Sequence, residues 1–141
     1  MAVEQADLLE RRLRDAVGVV GVLAAGWEIF EFAAAVAAVG AGQAADLYPA
    51  FTFARGSAVS GRNAIALAPS LPARILAPAE GPALAADEAD ETADAIARLA
   101  AVLSERLREA ARFAADPNDQ AACQDAARNA ARICELLAGG M

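Results

Sequence analysis

The stretch from Ala16 to Gly42 constrains this chain most, because it is apolar on every side of a helix and yet carries Glu28 and Glu31 near its middle. A helix that is apolar all round is either buried in a protein or spans a membrane. We expect both carboxylates to lie next to buried neighbours, where an unpaired charge is costly. The rest of the chain, or a partner, must cover this stretch.

Residues spaced three and four apart form three mostly apolar stripes along the helix predicted for this stretch. The first runs through Leu23, Trp27, Phe30 and Ala37. The second runs through Val17, Gly21, Ala24, Glu28, Glu31, Ala35 and Ala38. The third runs through Val19, Val22, Gly26, Ile29, Ala33, Val36 and Gly40. One small domain has difficulty covering all three stripes. We therefore expect a homodimer through this helix, which an Asp at Val22 or Ile29 would dissociate or unfold.

A membrane span is the alternative, since about 20 apolar residues suffice to cross a bilayer. Each of the two carboxylates would cost about 2.5 to 3.5 kcal/mol at bilayer depth on insertion scales. The first residues also lack the basic region, apolar core and cleavage site of a signal peptide. We expect a cytoplasmic protein that does not span a membrane.

Composition excludes several chemistries. The chain has no histidine and no lysine, and its 12 basic residues are all arginine. A Ser-His-Asp triad, a histidine metal ligand, a Schiff base and a P-loop lysine are therefore unavailable within it. The net charge of −7 argues against a nucleic-acid partner, which usually needs a basic face. Hydrophobic residues make up 57% of the chain and are mostly alanine, whereas aromatic residues make up only 5% of the chain.

Helical periodicity and Pro/Gly punctuation predict an all-α domain over residues 1–141. We expect an antiparallel four-helix bundle with a long proline-rich crossover between its second and third helices. The helices are predicted over residues 3–39, 47–68, 84–115 and 117–138, with irregular chain over 69–82. Gly56 and Gly61 leave open whether residues 47–68 form one helix or two. Asp116 is predicted to cap the last helix, with Pro117 in its first turn.

Two cysteines, Cys123 and Cys134, lie on the last predicted helix, three turns and about 16 Å apart. That separation is too long for a disulfide between them. We expect small core residues in a reducing compartment, and pairing between two chains is the alternative.

Arginines in the middle segment suggest a binding site. Their guanidinium groups could neutralise the glutamates of the first helix, or could form an anion pocket with a neighbouring amide and phenol. Aromatic side chains could also line an apolar pocket between helices. The candidate ligand-binding residues are Trp27, Glu28, Glu31, Tyr48, Phe51, Arg55, Arg62 and Asn63.

Paired carboxylates suggest a metal site instead. Glu28 and Glu31 share one helical face, as do Glu91 and Asp94, and facing acid pairs on bundle helices can bind Mg²⁺ or Mn²⁺. The order E-x-x-E then E-x-x-D is similar to the metal-binding pattern of the all-α nucleotide pyrophosphohydrolases. That resemblance implies a metal-dependent phosphohydrolase using these four residues as ligands. The proline-rich insert between the pairs departs from that family's compact hairpin.

Our leading expectation is a non-enzymatic helical interaction or assembly module that acts as a homodimer, needs no cofactor and works with a further protein partner. The alternatives are a binder of a small apolar or anionic ligand, and the metal-dependent enzyme.

Overall fold

The computed structural model of the chain describes residues 2–43, 47–71 and 89–138. Within these ranges the protein has five helices and no strand, which confirms the all-α prediction. The helices are α1 (Ala2–Asp15), α2 (Gly18–Gln43), α3 (Tyr48–Ala66), α4 (Ala89–Phe113) and α5 (Pro117–Ala138). Most of the predicted crossover, and the predicted start of the third helix at residue 84, lie outside the described residues.

The predicted helix over residues 3–39 is wrong, because the chain breaks between α1 and α2. Gly18 has a φ of 77°, in the left-handed region that glycine adopts without strain. The carbonyl of Ala16 accepts a hydrogen bond of 2.6 Å from Nη2 of Arg106. This bond satisfies a carbonyl that the end of α1 leaves without a helical partner, and it ties the break to α4.

Glycines set the contact between α2 and α3. Gly26 faces Ile65, Gly40 faces Phe51, and Gly61 on α3 faces Phe30 on α2. Positions that rise along α2 meet positions that fall along α3, so the two helices run in opposite directions. A Cβ atom at Gly40 would lie 2.8 Å from the Phe51 ring, so the helix approaches that ring too closely for any larger residue.

The segment from residue 47 to 68 forms one helix, α3, and not two. Gly61 lies inside it and serves the contact with Phe30. Gly56, one turn earlier, has no neighbouring atom within 4 Å of the place where a Cβ would stand. Packing against α2 thus outweighs the low intrinsic helix propensity of these two glycines.

Helices α4 and α5 also run in opposite directions. Ser104 Oγ donates to the carbonyl of Ala127 at 3.1 Å, and Gln120 Nε2 donates to the carbonyl of Ala111 at 3.3 Å. Asp116 caps α5 as predicted, since its carboxylate accepts the N–H of Asn118 at 2.7 Å. Helix α5 therefore spans the residues that the sequence predicted.

The core lies among all five helices. Its largest fully buried side chains are Leu13, Leu23, Phe30, Phe32, Val36, Phe51, Ile65, Ile96, Leu99, Leu103, Leu107 and Ile133. Val22 and Ile29 are also buried, with 4% and 3% of their surface exposed, so the expectation that these two residues face a second copy is wrong. The third stripe of α2 packs into the core, whereas the second stripe is covered only in part and is exposed at Val17, Glu28 and Ala38.

We predict opposite effects for the two inner glycines of α3. Gly61→Ala should lower the free energy of unfolding by about 1 to 3 kcal/mol, because the new methyl group must displace the Phe30 ring. Gly56→Ala should raise it by up to about 1 kcal/mol, because alanine is the better helix former and meets no atom there. Urea denaturation of both variants measures the difference, and equal effects would contradict the close packing of α2 on α3.

Candidate functional site

Three of the predicted site residues meet between α2 and α3, in what we call the Trp27–Glu31–Arg62 cluster. Arg62 Nη1 lies 2.5 Å from Glu31 Oε1, and the guanidinium carbon lies 5.7 Å from the centroid of the Trp27 ring. The Glu31 and Arg62 side chains are 12% and 30% exposed. The arginine neutralises the buried carboxylate and stacks on an aromatic face.

The other glutamate has a different environment. The Glu28 side chain is 51% exposed and lies 3.5 Å from Nη1 of Arg12, which is 59% exposed. The expectation that both carboxylates lie among buried neighbours is therefore wrong for Glu28. Only Glu31 carries the cost of burial, and Arg62 offsets it.

A shallow cleft of about 480 Å³ lies on the outer side of the α2–α3 pair, and we call it the α2–α3 cleft. It is lined by Ala38, Ala41, Tyr48, Thr52, Arg55, Gly56 and Val59. Tyr48 is 55% exposed. Arg55 is exposed and makes no ion pair with a residue that the structure describes. Two further predicted residues thus share a surface, apart from the Trp27–Glu31–Arg62 cluster.

The remaining predicted residues lie elsewhere. Phe51 is fully buried against Gly40 and is a core residue. Asn63 is exposed and lines a recess between α3 and α5 that also contains Asp125 and Arg128. The candidate ligand-binding set therefore does not form one pocket.

The proposed metal ligands are not assembled either. Glu91 and Asp94 are exposed at the start of α4, and Asp94 borders a recess with Arg98 and Cys134. Across the described ranges, no group of three or more Cys, Asp and Glu side chains is arranged to hold a metal ion. The carboxylate of Glu31 is held by Arg62. The E-x-x-E and E-x-x-D pairs thus do not meet at one centre in this structure.

No protein family, curated protein or solved structure matches the chain. By length and hydropathy, α2 could cross a membrane over Gly18–Gly42, and 44% of its most apolar 18-residue window is buried within the chain. The core helix of a soluble protein and an N-terminal signal sequence meet the same criteria.

Two polar residues that the sequence analysis missed join distant parts of the fold. Arg106 donates to Ala16 across the helix break and also pairs with Glu109 at 3.2 Å. Asp119 is 4% exposed and accepts hydrogen bonds from the N–H and the hydroxyl of Ser70, which ties the end of α3 to the first turn of α5. In the sequence both resemble ordinary helix-end charges, so periodicity carried no signal for either.

A second cleft, of about 360 Å³, lies at the break between α1 and α2. Two exposed apolar side chains border it, Val17 at 87% and Phe113 at 77% exposure, and Arg106 lies in its wall.

The two cysteines are free, as predicted. Cys123 is buried in the core, whereas Cys134 is partly exposed. Burial, with a smaller contribution from the nearby carboxylate of Asp119, raises the pKa of Cys123 from 9.0 to about 11. A thiol that keeps its proton is a poor nucleophile, so Cys123 is a packing residue.

We predict that the two glutamates of α2 contribute unequally to stability. Glu31→Gln should lower the free energy of unfolding by about 1 to 3 kcal/mol, because it leaves Arg62 partly buried without its countercharge. Glu28→Gln should cost less than about 1 kcal/mol, because both members of that pair are largely exposed. Urea denaturation followed by the fluorescence of Trp27, the single tryptophan, measures both. Equal losses would contradict the assigned environments.

We also predict that stability falls between pH 9 and pH 11 through Cys123. Below its unfolded pKa of 9.0 the thiol is neutral in both states, whereas above it the unfolded chain releases a proton that the folded chain holds until about pH 11. With no lysine and one tyrosine, few other groups titrate in this window. Urea midpoints across it should decline less in Cys123→Ala, and an unchanged decline would contradict the prediction.

Proposed function

We propose that this protein is a non-enzymatic helical interaction module that acts as a homodimer through the outward face of α2. We define that face by Val17 in the break and by Gly21, Ala24, Glu28, Ala35 and Ala38 of α2. Val17, Glu28 and Ala38 are exposed, and the other three residues are partly buried. The observation that carries the proposal is the incomplete cover of α2, since only 44% of its most apolar window is buried. A large exposed apolar surface on a domain is typical of an interaction site.

A second copy of the chain suits this face. Its side chains are mostly alanine and glycine, so another helix can approach closely. A two-fold dimer uses the same patch twice, and each copy covers the exposed apolar surface of the other. No separate partner is needed to account for the incomplete cover of this face.

The charges on the face favour a protein partner over lipid. Glu28 and Arg12 are both about half exposed near its middle. Each would cost about 2.5 to 3.5 kcal/mol at the centre of a bilayer on insertion scales, whereas an exposed ion pair is tolerated at a wet protein interface. We propose a cytoplasmic protein on this basis.

We further propose that α2 to α5 form the antiparallel four-helix bundle, with α1 packed against α2 and α4. The supporting contacts are those of α2 with α3, α3 with α5, α5 with α4, and α4 with α2. Ser70, after α3, bonds to Asp119 at the start of α5, whereas Asp94, early in α4, shares a recess with Ala138 at the end of α5. The end of α3 and the start of α4 therefore lie at opposite ends of α5.

We predict a mass of about twice the 14.4 kDa chain by light scattering coupled to size-exclusion chromatography. Ala38→Trp should shift the protein to the monomer, because its side chain is too large for the close helix contact that alanine allows. Ala121→Trp, at an exposed alanine of α5, is the matched control and should leave the dimer intact. A wild-type chain that stays monomeric at high concentration would refute the proposal.

A further inference from the structure

We infer that the two copies pack with their α2 helices antiparallel, so that Arg55 of each copy pairs with Glu28 of the other. The inference rests on the proposed homodimer and specifies its orientation. Its basis is the order in which Glu28 and Arg55 occur along the outward surface of α2 and α3.

The glycine contacts fix where Arg55 stands relative to α2. Phe51 lies beside Gly40, and Gly61 lies beside Phe30. Arg55 comes between Phe51 and Gly61 on α3, so it stands beside the part of α2 between residues 30 and 40. Glu28 lies nearer the N-terminal end of α2. The outward surface thus carries the weak Arg12–Glu28 pair on the N-terminal side of Phe32, and Arg55 on the C-terminal side.

This order distinguishes the two ways of joining α2 helices. A parallel pair places Glu28 opposite Glu28 of the second copy, and like charges that face each other across an interface are unfavourable. In an antiparallel pair whose two-fold axis passes near Phe32, residue 28 of one copy lies level with about residue 36 of the other. Arg55 stands beside that part of α2, so Glu28 comes level with Arg55 of the second copy. Two-fold symmetry then makes the ion pair twice.

Glu28 and Arg55 are the charges available for this exchange. Arg55 makes no ion pair with a described residue, and the Arg12–Glu28 contact of 3.5 Å is half exposed and therefore weak. Glu31, by contrast, is engaged by Arg62 at 2.5 Å. The pairing between copies needs no buried charge to leave its partner.

The helix is also long enough for this contact. A helix of 26 residues is about 39 Å long, and the exposed residues of this face extend from Val17 to Ala38. The centre near Phe32 lies close to the middle of α2, so both copies use most of the face, and the half-exposed ring of Tyr48 lies at its edge.

Charge exchange tests the inference. Glu28→Arg and Arg55→Glu should each raise the dimer dissociation constant about tenfold or more, because each places like charges opposite one another. The double variant restores opposite charges and should return to within about threefold of the wild type. Sedimentation equilibrium measures the constants, and far-UV circular dichroism checks that these exposed substitutions leave the helices intact. Arg132→Ala, at an exposed arginine of α5, is the control and should leave the constant unchanged.

The outcomes separate the two proposals. A monomeric wild type overturns the homodimer and this inference with it. A dimeric wild type whose double variant stays as weak as the single variants overturns the antiparallel pairing alone. An equal loss of affinity in Arg132→Ala also overturns it, because the effect would then not be specific to the pairing of Glu28 with Arg55.

Discussion

The close approach of α2 to α3 is the contact on which the rest of the structure depends. Glycines at three positions let ring and aliphatic side chains of one helix reach the backbone of the other, and this fixes the register of the pair. Register in turn decides which charges meet. Arg62 follows Gly61 directly, so the packing of that glycine on Phe30 brings the guanidinium to Glu31 and Trp27.

The break at Gly18 lets more of the apolar surface of the first two helices be buried. A single straight helix would extend its apolar surface beyond the other helices, whereas the break lets α1 pack against both α2 and α4. Arg106 stabilises the break by donating a hydrogen bond to the carbonyl of Ala16, and the same side chain pairs with Glu109 on α4. Even with α1 in place, the second stripe stays exposed at Val17, Glu28 and Ala38.

Much of the fold could be predicted from local signals. The bounds of α5 follow from Asp116 and Pro117, and the all-α class follows from periodicity. The break could not be predicted, because apolar periodicity continues through Ala16 and Gly18 and no proline interrupts it. Hydropathy also could not show which of the three apolar stripes of α2 faces the core, because all three are apolar. Side-chain volume does distinguish them: Val22 and Ile29 are large and buried, whereas Ala38 is small and exposed. The partner of Glu31 depended on the register between helices, which no single segment encodes.

In the proposed homodimer, the alanine-rich composition would make association part of the stability of the domain. Hydrophobic stabilisation scales with apolar area, at about 25 cal/mol per Å² buried, and a buried alanine contributes far less area than a leucine. Helices of this kind pack closely but gain little from each contact, so any further apolar area buried between two copies adds to the stability of each. Binding to the native state alone raises stability in proportion to the logarithm of the binding partner's concentration. In a homodimer that partner is the chain itself, so its folding and its assembly are one linked equilibrium.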